Sequence, residues 1–218
     1  MRKYAWIGLW LGLLVAGPAA ATLGGQPVID DDVVKVWTYP VPGQPLHGFR
    51  AATTVRSSLA GLVGLIMDTA AAPHWVYRTD AIHLLERDDK AGTFRVRAEM
   101  DFWPLRDRDV VLDGQVSQDP RTLTVAVDSR SVAVPQLPPV AAFVRMPALR
   151  GHWEFRPLGD GLVEVVMSGH ADPGGHIPDF LVNLLIKETP YRTLLGLRRM
   201  IAAPKYQQHR LEGIRELP

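Results

Sequence analysis

The segment TFRVRAEMDF, residues 93–102, constrains the fold of this chain more than any other part of the sequence. Every second residue is apolar, and most of the residues between them are charged. The apolar set is Phe94, Val96, Ala98, Met100 and Phe102. A period of two indicates a β-strand with one buried face and one solvated face. Such strands are typical of antiparallel sheets that are covered on one side only.

Further strands are predicted on both sides of this segment. They cover residues 33–37, 49–55, 81–87, 106–116, 123–129, 152–157 and 162–170. The Asp-Gly pair at residues 160–161 indicates a tight hairpin between the last two strands. Helices are predicted at residues 59–68, where Ser57 or Ser58 can cap the first turn, and at residues 73–77. The proline-rich residues 133–151 are predicted to form a long loop over one end of the sheet.

The C-terminal part of the chain, residues 177–201, is predicted to be a long amphipathic helix. Its apolar stripe consists of Ile177, Phe180, Leu181, Leu184 and Leu185. Pro190 is expected to kink or restart this helix, because its ring removes a backbone hydrogen bond and clashes with the preceding turn. The order of the elements predicts an α+β fold with consecutive antiparallel strands and a terminal helix. Residues 22–218 contain no internal repeat or long polar linker, so they should form a single domain.

The first 21 residues are predicted to be a secretory signal peptide. Arg2 and Lys3 precede the short apolar run YAWIGLWLGLLVA, and Ala19 and Ala21 fit a cleavage site. A membrane span needs roughly 20 apolar residues, so this shorter run favours cleavage over anchoring. The chain has no cysteine, which excludes disulfides and a lipid-modified cysteine at the cleavage site. We expect an exported protein, which would be periplasmic in a Gram-negative bacterium.

The charges and motifs argue against several classes of function. The chain carries 24 Lys and Arg against 23 Asp and Glu, and removing Arg2 and Lys3 with the signal peptide turns the formal net charge from +1 to −1. A nucleic-acid partner is therefore not expected. The sequence contains no G-x-S-x-G or H-E-x-x-H motif. His170, Asp172 and His176 match no established zinc-binding spacing, so we expect no catalytic residue, metal or cofactor.

The inward-facing residues of the predicted sheet are compatible with either a cavity or a filled core. The set includes Ala98, Met100, Phe102, Val110, Val125, Val127, Val165 and Met167, and it can extend to Gly169. Methionine adapts to irregular shapes and alanine leaves space, which suits a flexible apolar guest. The same residue types also build ordinary dry cores. The pattern alone leaves both alternatives open.

Arg108 is unusual because it lies on the apolar face of its strand. In the alternating register Arg108 and Val110 point one way, whereas Asp107 and Asp109 point the other way. A buried guanidinium costs several kcal/mol unless a carboxylate or several carbonyls meet it. Two explanations remain open at this point: Arg108 meets the polar group of a ligand in a cavity, or it pairs with an acidic residue from another element.

Taken together, several segments resemble a START domain, the lipid-transfer module related to the steroidogenic acute regulatory protein. These segments are GFRAATTV, LIMD followed by PHW, DFWPLRDRDVV, PQLPPVAAFVRM, GHWEFRPLGDG and GGHIPDFLVN. Arg108 and Asp109 fall at the family's Arg-Asp position. The resemblance covers the chain from Val33 to Ile201. It departs from the family at the N-terminus, where the family's first helix must be short or absent.

The resemblance implies a helix-grip fold, in which a curved antiparallel sheet wraps around the C-terminal helix and leaves a tunnel for one hydrophobic molecule. It also implies that Arg108 reaches into this tunnel, where it can pair with an acidic residue or with the ligand. Residues of the inward face and of the helix stripe should contact the ligand. This set is Arg108, Ala98, Met100, Phe102, Val110, Val125, Val127, Val165, Met167, Phe180, Leu181, Leu184 and Leu185.

The leading hypothesis is a non-catalytic exported protein that binds or transfers a lipid or another hydrophobic molecule and contacts membranes transiently. Residues 134–150 and the terminal helix around Pro190 are candidate moving parts for ligand exchange. A second hypothesis is a helix-grip enzyme of the cyclase or hydrolase type, which acts on a hydrophobic substrate in the same cavity. A third is a filled, ligand-free domain that mediates protein contacts.

Overall fold

The computed structural model describes residues 26–42, 46–175 and 177–218. The predicted signal peptide, residues 1–21, lies outside the described residues. Among the residues that are described, no helix combines the length and the apolar character needed to cross a bilayer.

The fold is dominated by a curved, unclosed sheet of ten strands. These are β1 (Ile29–Asp30), β2 (Lys35–Tyr39), β3 (Gly48–Arg56), β4 (Thr79–Asp88), β5 (Thr93–Met100), β6 (Arg108–Gln118), β7 (Val125–Ser131), β8 (Val144–Arg145), β9 (Ala148–Gly159) and β10 (Leu162–Asp172). The strands lie in the order β1-β2-β3-β10-β9-β7-β6-β5-β4, and β8 pairs with β6. All pairs are antiparallel except that of β8 with β6. The predicted α+β helix-grip architecture is confirmed.

The helices lie before and after the main run of strands. Helix α1 (Leu59–Met67) begins where predicted, because the Ser58 hydroxyl oxygen accepts a hydrogen bond from the Gly61 amide at 3.0 Å. A single 3-10 turn (Ala72–His74) follows it. The long helix α2 (Asp179–Ile201) and the short α3 (Pro204–Gln207) end the chain.

The prediction of a single long loop at residues 133–151 is wrong at its C-terminal end. Strand β9 begins at Ala148, directly after Pro147, and pairs with both β7 and β10. From Ala148 to Arg156 every residue has a backbone amide that can join the ladder. Strand β8 consists of only two residues, which is too short to produce a periodic pattern in the sequence.

Pro190 does not restart the terminal helix, whereas the other predicted outcome, a kink, stays a prediction. Helix α2 continues through it as a single element, and Pro190 is buried. The C-terminal half of α2 places Leu194, Leu197 and Ile201 in the main hydrophobic core. The packing of these side chains compensates for the backbone hydrogen bond that the proline cannot donate.

The C-terminal tail is fastened to the beginning of α1. The Glu216 carboxylate accepts hydrogen bonds from the Leu59 amide at 2.9 Å and from the Ala60 amide at 2.8 Å. The first amides of a helix have no partner inside the helix, and a negative charge is favourable at this end. The tail therefore completes a helix that begins more than 150 residues earlier in the chain.

Asp109 is fully buried on the outer face of the sheet. It accepts hydrogen bonds from Arg97 at 2.8 Å and from Arg145 at 2.8 and 2.9 Å. The sequence correctly places Asp109 on the face opposite Arg108, but this part of that face is not solvated. Burial alone raises the pKa of Asp109, whereas the hydrogen bonds and charges of the two arginines outweigh this effect and hold its pKa below the ordinary value. The ion pair fastens residues 132–147 to β6.

We expect Asp109→Asn to lower the free energy of unfolding by about 3–5 kcal/mol, because it leaves two arginines without their buried anion. Chemical denaturation at pH 7 measures this loss. The matched control is Asp128→Asn, which removes an exposed partner of His152 and should change stability by less than about 0.5 kcal/mol. Equal effects of the two substitutions would contradict the assignment of Asp109 as the main fastening of residues 132–147.

Candidate functional site

A cavity of about 350 Å³ lies between the inner face of the sheet and the N-terminal half of α2. Several residues of the predicted ligand set line it. They are Ala98, Met100, Phe102, Val110, Val127, Met167 and Leu185. The end of α1 and the segment that follows it close another side through Met67, Trp75 and Val76. The candidate site is therefore an apolar space between sheet and helices.

A row of small residues crosses four neighbouring strands beside this space, and two of them, Ser129 and Gly151, line the cavity. Gly114, Ser129, Gly151 and Gly169 face one another in register on β6, β7, β9 and β10. The ring of Phe94 lies over Gly114, where an added Cβ would be 2.1 Å from its Cζ atom. An added Cβ on Gly151 would be 2.8 Å from the Ser129 hydroxyl oxygen. The small residues of this row leave room for the Phe94 ring and for the Ser129 hydroxyl against the sheet.

The floor of the cavity is aromatic. The rings of Trp75 and Trp153 meet edge to face, and their centroids are 6.0 Å apart. The centroids of the Trp153 and Phe155 rings are 6.3 Å apart. Helix α2 approaches Trp75 closely at Gly196, where an added Cβ would be 2.2 Å from the Trp75 carbonyl oxygen. Close helix approach and edge-to-face packing hold this floor in place.

The polar side chains of the cavity are mostly hydroxyls. Thr79, Thr189, Thr193 and Ser129 line it. The Thr193 hydroxyl oxygen accepts a hydrogen bond from the Tyr77 amide at 3.2 Å. Among the described lining residues there is no Asp, Glu or Lys. The interior therefore offers neutral hydrogen-bonding groups and little fixed charge.

Several predicted ligand contacts lie elsewhere. Val125 and Val165 are fully buried in the main core, beside Phe155, so they do not line the cavity. Val125 and Val165 both pair with Phe155, so the three residues form one row across the sheet. At this end of the sheet the side chains of α1 and of the C-terminal half of α2 cover the inner face. The sheet thus divides its inner face between a dry core and a cavity, a division that alternation along one strand does not reveal.

The face of α2 that lines the cavity differs from the apolar stripe that the sequence predicted. Leu181 is buried but does not line the cavity, and Leu184 is 48% exposed. The side chain of Phe180 lies outside the described residues. Val182, Leu185, Ile186, Thr189 and Thr193 form the stripe that lines the cavity. Threonines on this face weakened the apolar pattern, so the neighbouring leucines gave the stronger signal in the sequence.

Arg108 is buried at 3% exposure but does not line the cavity. It donates to the carbonyl oxygens of Pro173 and Gly174, both at 3.3 Å, and to that of Arg106. Its guanidinium lies 4.6 Å from the centroid of the Phe102 ring. Because Phe102 and Pro173 both line the cavity, Arg108 lies behind them. The predicted position of Arg108 inside the tunnel differs from the observed one.

The environment of Arg108 is poor in compensating charge. Burial, followed by the positive charge of Arg106, lowers the pKa of Arg108 from its ordinary value. In the described part of the chain, no carboxylate lies within ion-pair distance of it. Carbonyl oxygens therefore take the role that the sequence assigned to an acid or a ligand. Arg108 joins β6 to residues 172–175, the connection that leads into α2.

A larger and more open depression of about 820 Å³ lies on the outer face of the sheet. Its walls carry charged residues such as Arg95, Asp113, Asp128 and Arg130. Arg95 and Asp113 pair there at 2.6 Å. These features are those of a solvated polar surface, so the smaller apolar cavity is the better candidate for a hydrophobic ligand. His176 lies outside the described residues, and its spacing with His170 and Asp172 stays untested.

Arg108→Ala should loosen the connection into α2, because three carbonyl oxygens lose their donor. Hydrogen exchange followed by mass spectrometry should show at least tenfold faster exchange in residues 172–175 and in the first turns of α2. Arg106→Ala is the matched control, since Arg106 is exposed and binds carbonyl oxygens of residues 141 and 143 instead. Unchanged exchange in the Arg108 variant would contradict this role.

Comparison with known proteins agrees with the geometry. The family model of the START domain matches residues 29–210. An uncharacterized protein of Pseudomonas aeruginosa is 28% identical over 169 residues, which are 78% of this chain and 82% of that protein.

Solved structures show the same architecture. The crystal structure of a STAR-related lipid transfer protein fragment from Xanthomonas axonopodis matches with a TM-score of 0.73 and 28% identity, and covers 82% of this chain and 98% of that one. Human StAR-related lipid transfer protein 5 matches with a TM-score of 0.75 and 18% identity, covering 84% and 88%. The family match extends over most of the strands and helices that build the cavity. This chain belongs to the START domain family.

Proposed function

We propose that this protein is a carrier that binds a lipid or another hydrophobic molecule in the cavity and shields it from water. The apolar cavity beneath α2 is the observation that supports this proposal. Membership of the START family and the likeness to a bacterial lipid transfer protein agree with it. We further propose that the protein is exported through its first 21 residues and acts in the periplasm of a Gram-negative cell.

Burial of hydrocarbon supplies enough free energy for such binding. Each buried methylene contributes about 0.8 kcal/mol, so a chain with about ten of them gains roughly 8 kcal/mol. That free energy corresponds to a dissociation constant of about 1 μM before the cost of ordering the ligand is subtracted. The carrier role therefore needs no strong polar contact.

Exchange of the ligand requires part of the wall to move, and α2 is the best candidate. Its N-terminal half closes the cavity, whereas its C-terminal half is held in the main core. The other candidate, residues 134–150, is fastened through the buried pair of Arg145 and Asp109, and its last three residues belong to β9. We propose that the weakly held connection bound by Arg108 is released and that the first half of α2 then moves away from the cavity.

The tip formed by the β5–β6 and β7–β8 connections is suited to membrane contact. Trp103 is 74% exposed and Val140 is 46% exposed. Arg106 holds the two connections together through the carbonyl oxygens of Ala141 and Phe143. Tryptophan is favoured at membrane interfaces because its ring is largely apolar and its indole N–H is polar. We propose that this tip touches the membrane during transfer.

The carrier role and export can be tested in one experiment. The full chain is expressed with its own first 21 residues in a Gram-negative host, and the periplasmic extract is examined by native mass spectrometry. We expect a processed chain with a bound hydrophobic molecule. Ala98→Leu, which fills the cavity, should reduce the bound fraction at least tenfold, while Ala126→Leu on the outer face should not.

Different failures of this experiment have different meanings. A chain that stays in the cytoplasm would contradict export only. An empty chain that takes up nothing from a broad lipid panel would contradict the carrier role. A bound molecule that is recovered chemically altered would favour the enzymatic alternative.

Membrane contact is tested by transfer between vesicles. Trp103→Ser should slow transfer of a fluorescent lipid about tenfold and leave equilibrium binding of the same lipid unchanged. The reason is that Trp103 lies on the tip and is absent from the cavity lining. Leu158→Ser, a change at another exposed apolar residue, is the control and should not slow transfer. Equal transfer rates for the three proteins would refute the proposed contact.

A further inference from the structure

We infer that the cavity accepts one hydrocarbon chain or ring system with an uncharged polar end, and that it discriminates against diacyl and phosphate-bearing lipids. This inference rests on the proposed carrier function and specifies its ligand class. Three observations support it: the capacity of the cavity, the engagement or outward position of the arginines among its described lining residues, and the hydroxyls within it.

The capacity of the cavity limits the ligand to one chain. A cavity of about 350 Å³ lies at the lower end of the range of about 300–1,000 Å³ that is usual for sites that hold one small molecule. The aromatic floor of Trp75 and Trp153 and the Phe94 ring over Gly114 bound this space on two sides. A second acyl chain would have to remain in water or force the wall apart.

The interior cannot compensate a charged headgroup. Arg78 lines the cavity, but it is already engaged by the Asp101 side chain at 3.5 Å and by the carbonyl oxygens of Asp101 and Trp103 at 3.3 Å. Arg108 lies behind Phe102 and is engaged by carbonyl oxygens. A phosphate brought inside would lose its hydration without gaining an ion pair, which costs several kcal/mol.

The remaining cationic or titratable residues near the cavity do not change this conclusion. Arg150 lies between Leu149 and Gly151, whose positions face inward, so its side chain projects from the outer face. His170 lies between Gly169 and Ala171, which face inward, and therefore projects the same way as its strand partner Arg150. His152 pairs with Asp128 at 2.8 Å on that same outer face, and His47 is exposed. None of these groups is placed to meet an anion in the interior.

The hydroxyls favour a neutral polar end on the ligand. Thr79 lies on β4, and Thr189 and Thr193 lie on α2. Ser129 lies on β7, in the row of small residues that crosses the sheet. A hydroxyl both donates and accepts, so it can pair with an alcohol, a ketone or an ester of the ligand without a net charge. One such hydrogen bond orients the ligand, while the apolar remainder supplies most of the affinity.

The test compares ligands with equal chains and different ends. Binding to the wild-type chain is measured by displacement of a fluorescent probe, with each ligand below its aggregation limit and supplied from cyclodextrin. The three ligands are dodecanol, dodecylphosphocholine and 1,2-didodecanoylglycerol. We expect dodecanol to bind at least tenfold more tightly than either of the other two.

A cavity variant tests whether the volume itself sets the limit. Met167→Ala enlarges the space beside Trp153, and it should shift the preferred alcohol from dodecanol towards hexadecanol by at least fivefold in relative affinity. Leu158→Ala removes an exposed leucine outside the cavity lining and should leave the preference unchanged.

The outcomes separate this inference from the proposed function. If no ligand of the series binds, both the carrier role and the inferred ligand class fail. If the phosphocholine or the diacylglycerol binds as tightly as dodecanol, the carrier role stands and the inference is overturned. An unchanged chain-length preference in Met167→Ala, with the fold intact, would also overturn it.

Discussion

The row of Gly114, Ser129, Gly151 and Gly169 is the constraint on which the rest of the site depends. It crosses four hydrogen-bonded strands at one level of the inner face. Side chains of ordinary size at this level would meet the Phe94 ring at Gly114, the Ser129 hydroxyl oxygen at Gly151 and the Arg150 carbonyl oxygen at Gly169. Without them, the four strands keep their backbone pairing, and the Phe94 ring lies over Gly114 beside the cavity. A helix laid across such a sheet covers a space and does not fill it.

Arg108 and Asp109 fasten the two faces of the sheet at one point of β6. Arg108 binds the connection into α2 on the inner side, and Asp109 binds Arg145 on the outer side. The two contacts differ in strength, because Asp109 has two cationic partners whereas Arg108 has only carbonyl oxygens. The outer covering is therefore held firmly. The connection into the helix is held by weaker bonds, which fits the proposal that α2 moves during exchange.

Much of the architecture was predictable because it depends on local periodicity. The alternation of residues 93–102 is retained in β5, the Asp-Gly turn joins β9 to β10, and Ser58 caps α1. The inward residues from Ala98 to Phe102 line the cavity as predicted. Val125 and Val165 could not be separated from them, since both groups are apolar and inward. The two groups differ in their position along the sheet, and therefore in whether a helix covers them directly. This position depends on the register between strands that are distant in sequence.

The sequence by itself determined the class of the fold, the order of its strands along the chain, the terminal helix and the resemblance to the START family. Periodicity, turn residues and motif order are properties of the sequence itself. They can therefore be recognised without knowing which elements pack against each other. Only the tertiary structure decided which glycines align across the sheet, which side of α2 faces the cavity and which carbonyl oxygens receive Arg108. Each of these depends on contacts between segments far apart in the chain. Such contacts leave no periodic trace in any one of the segments.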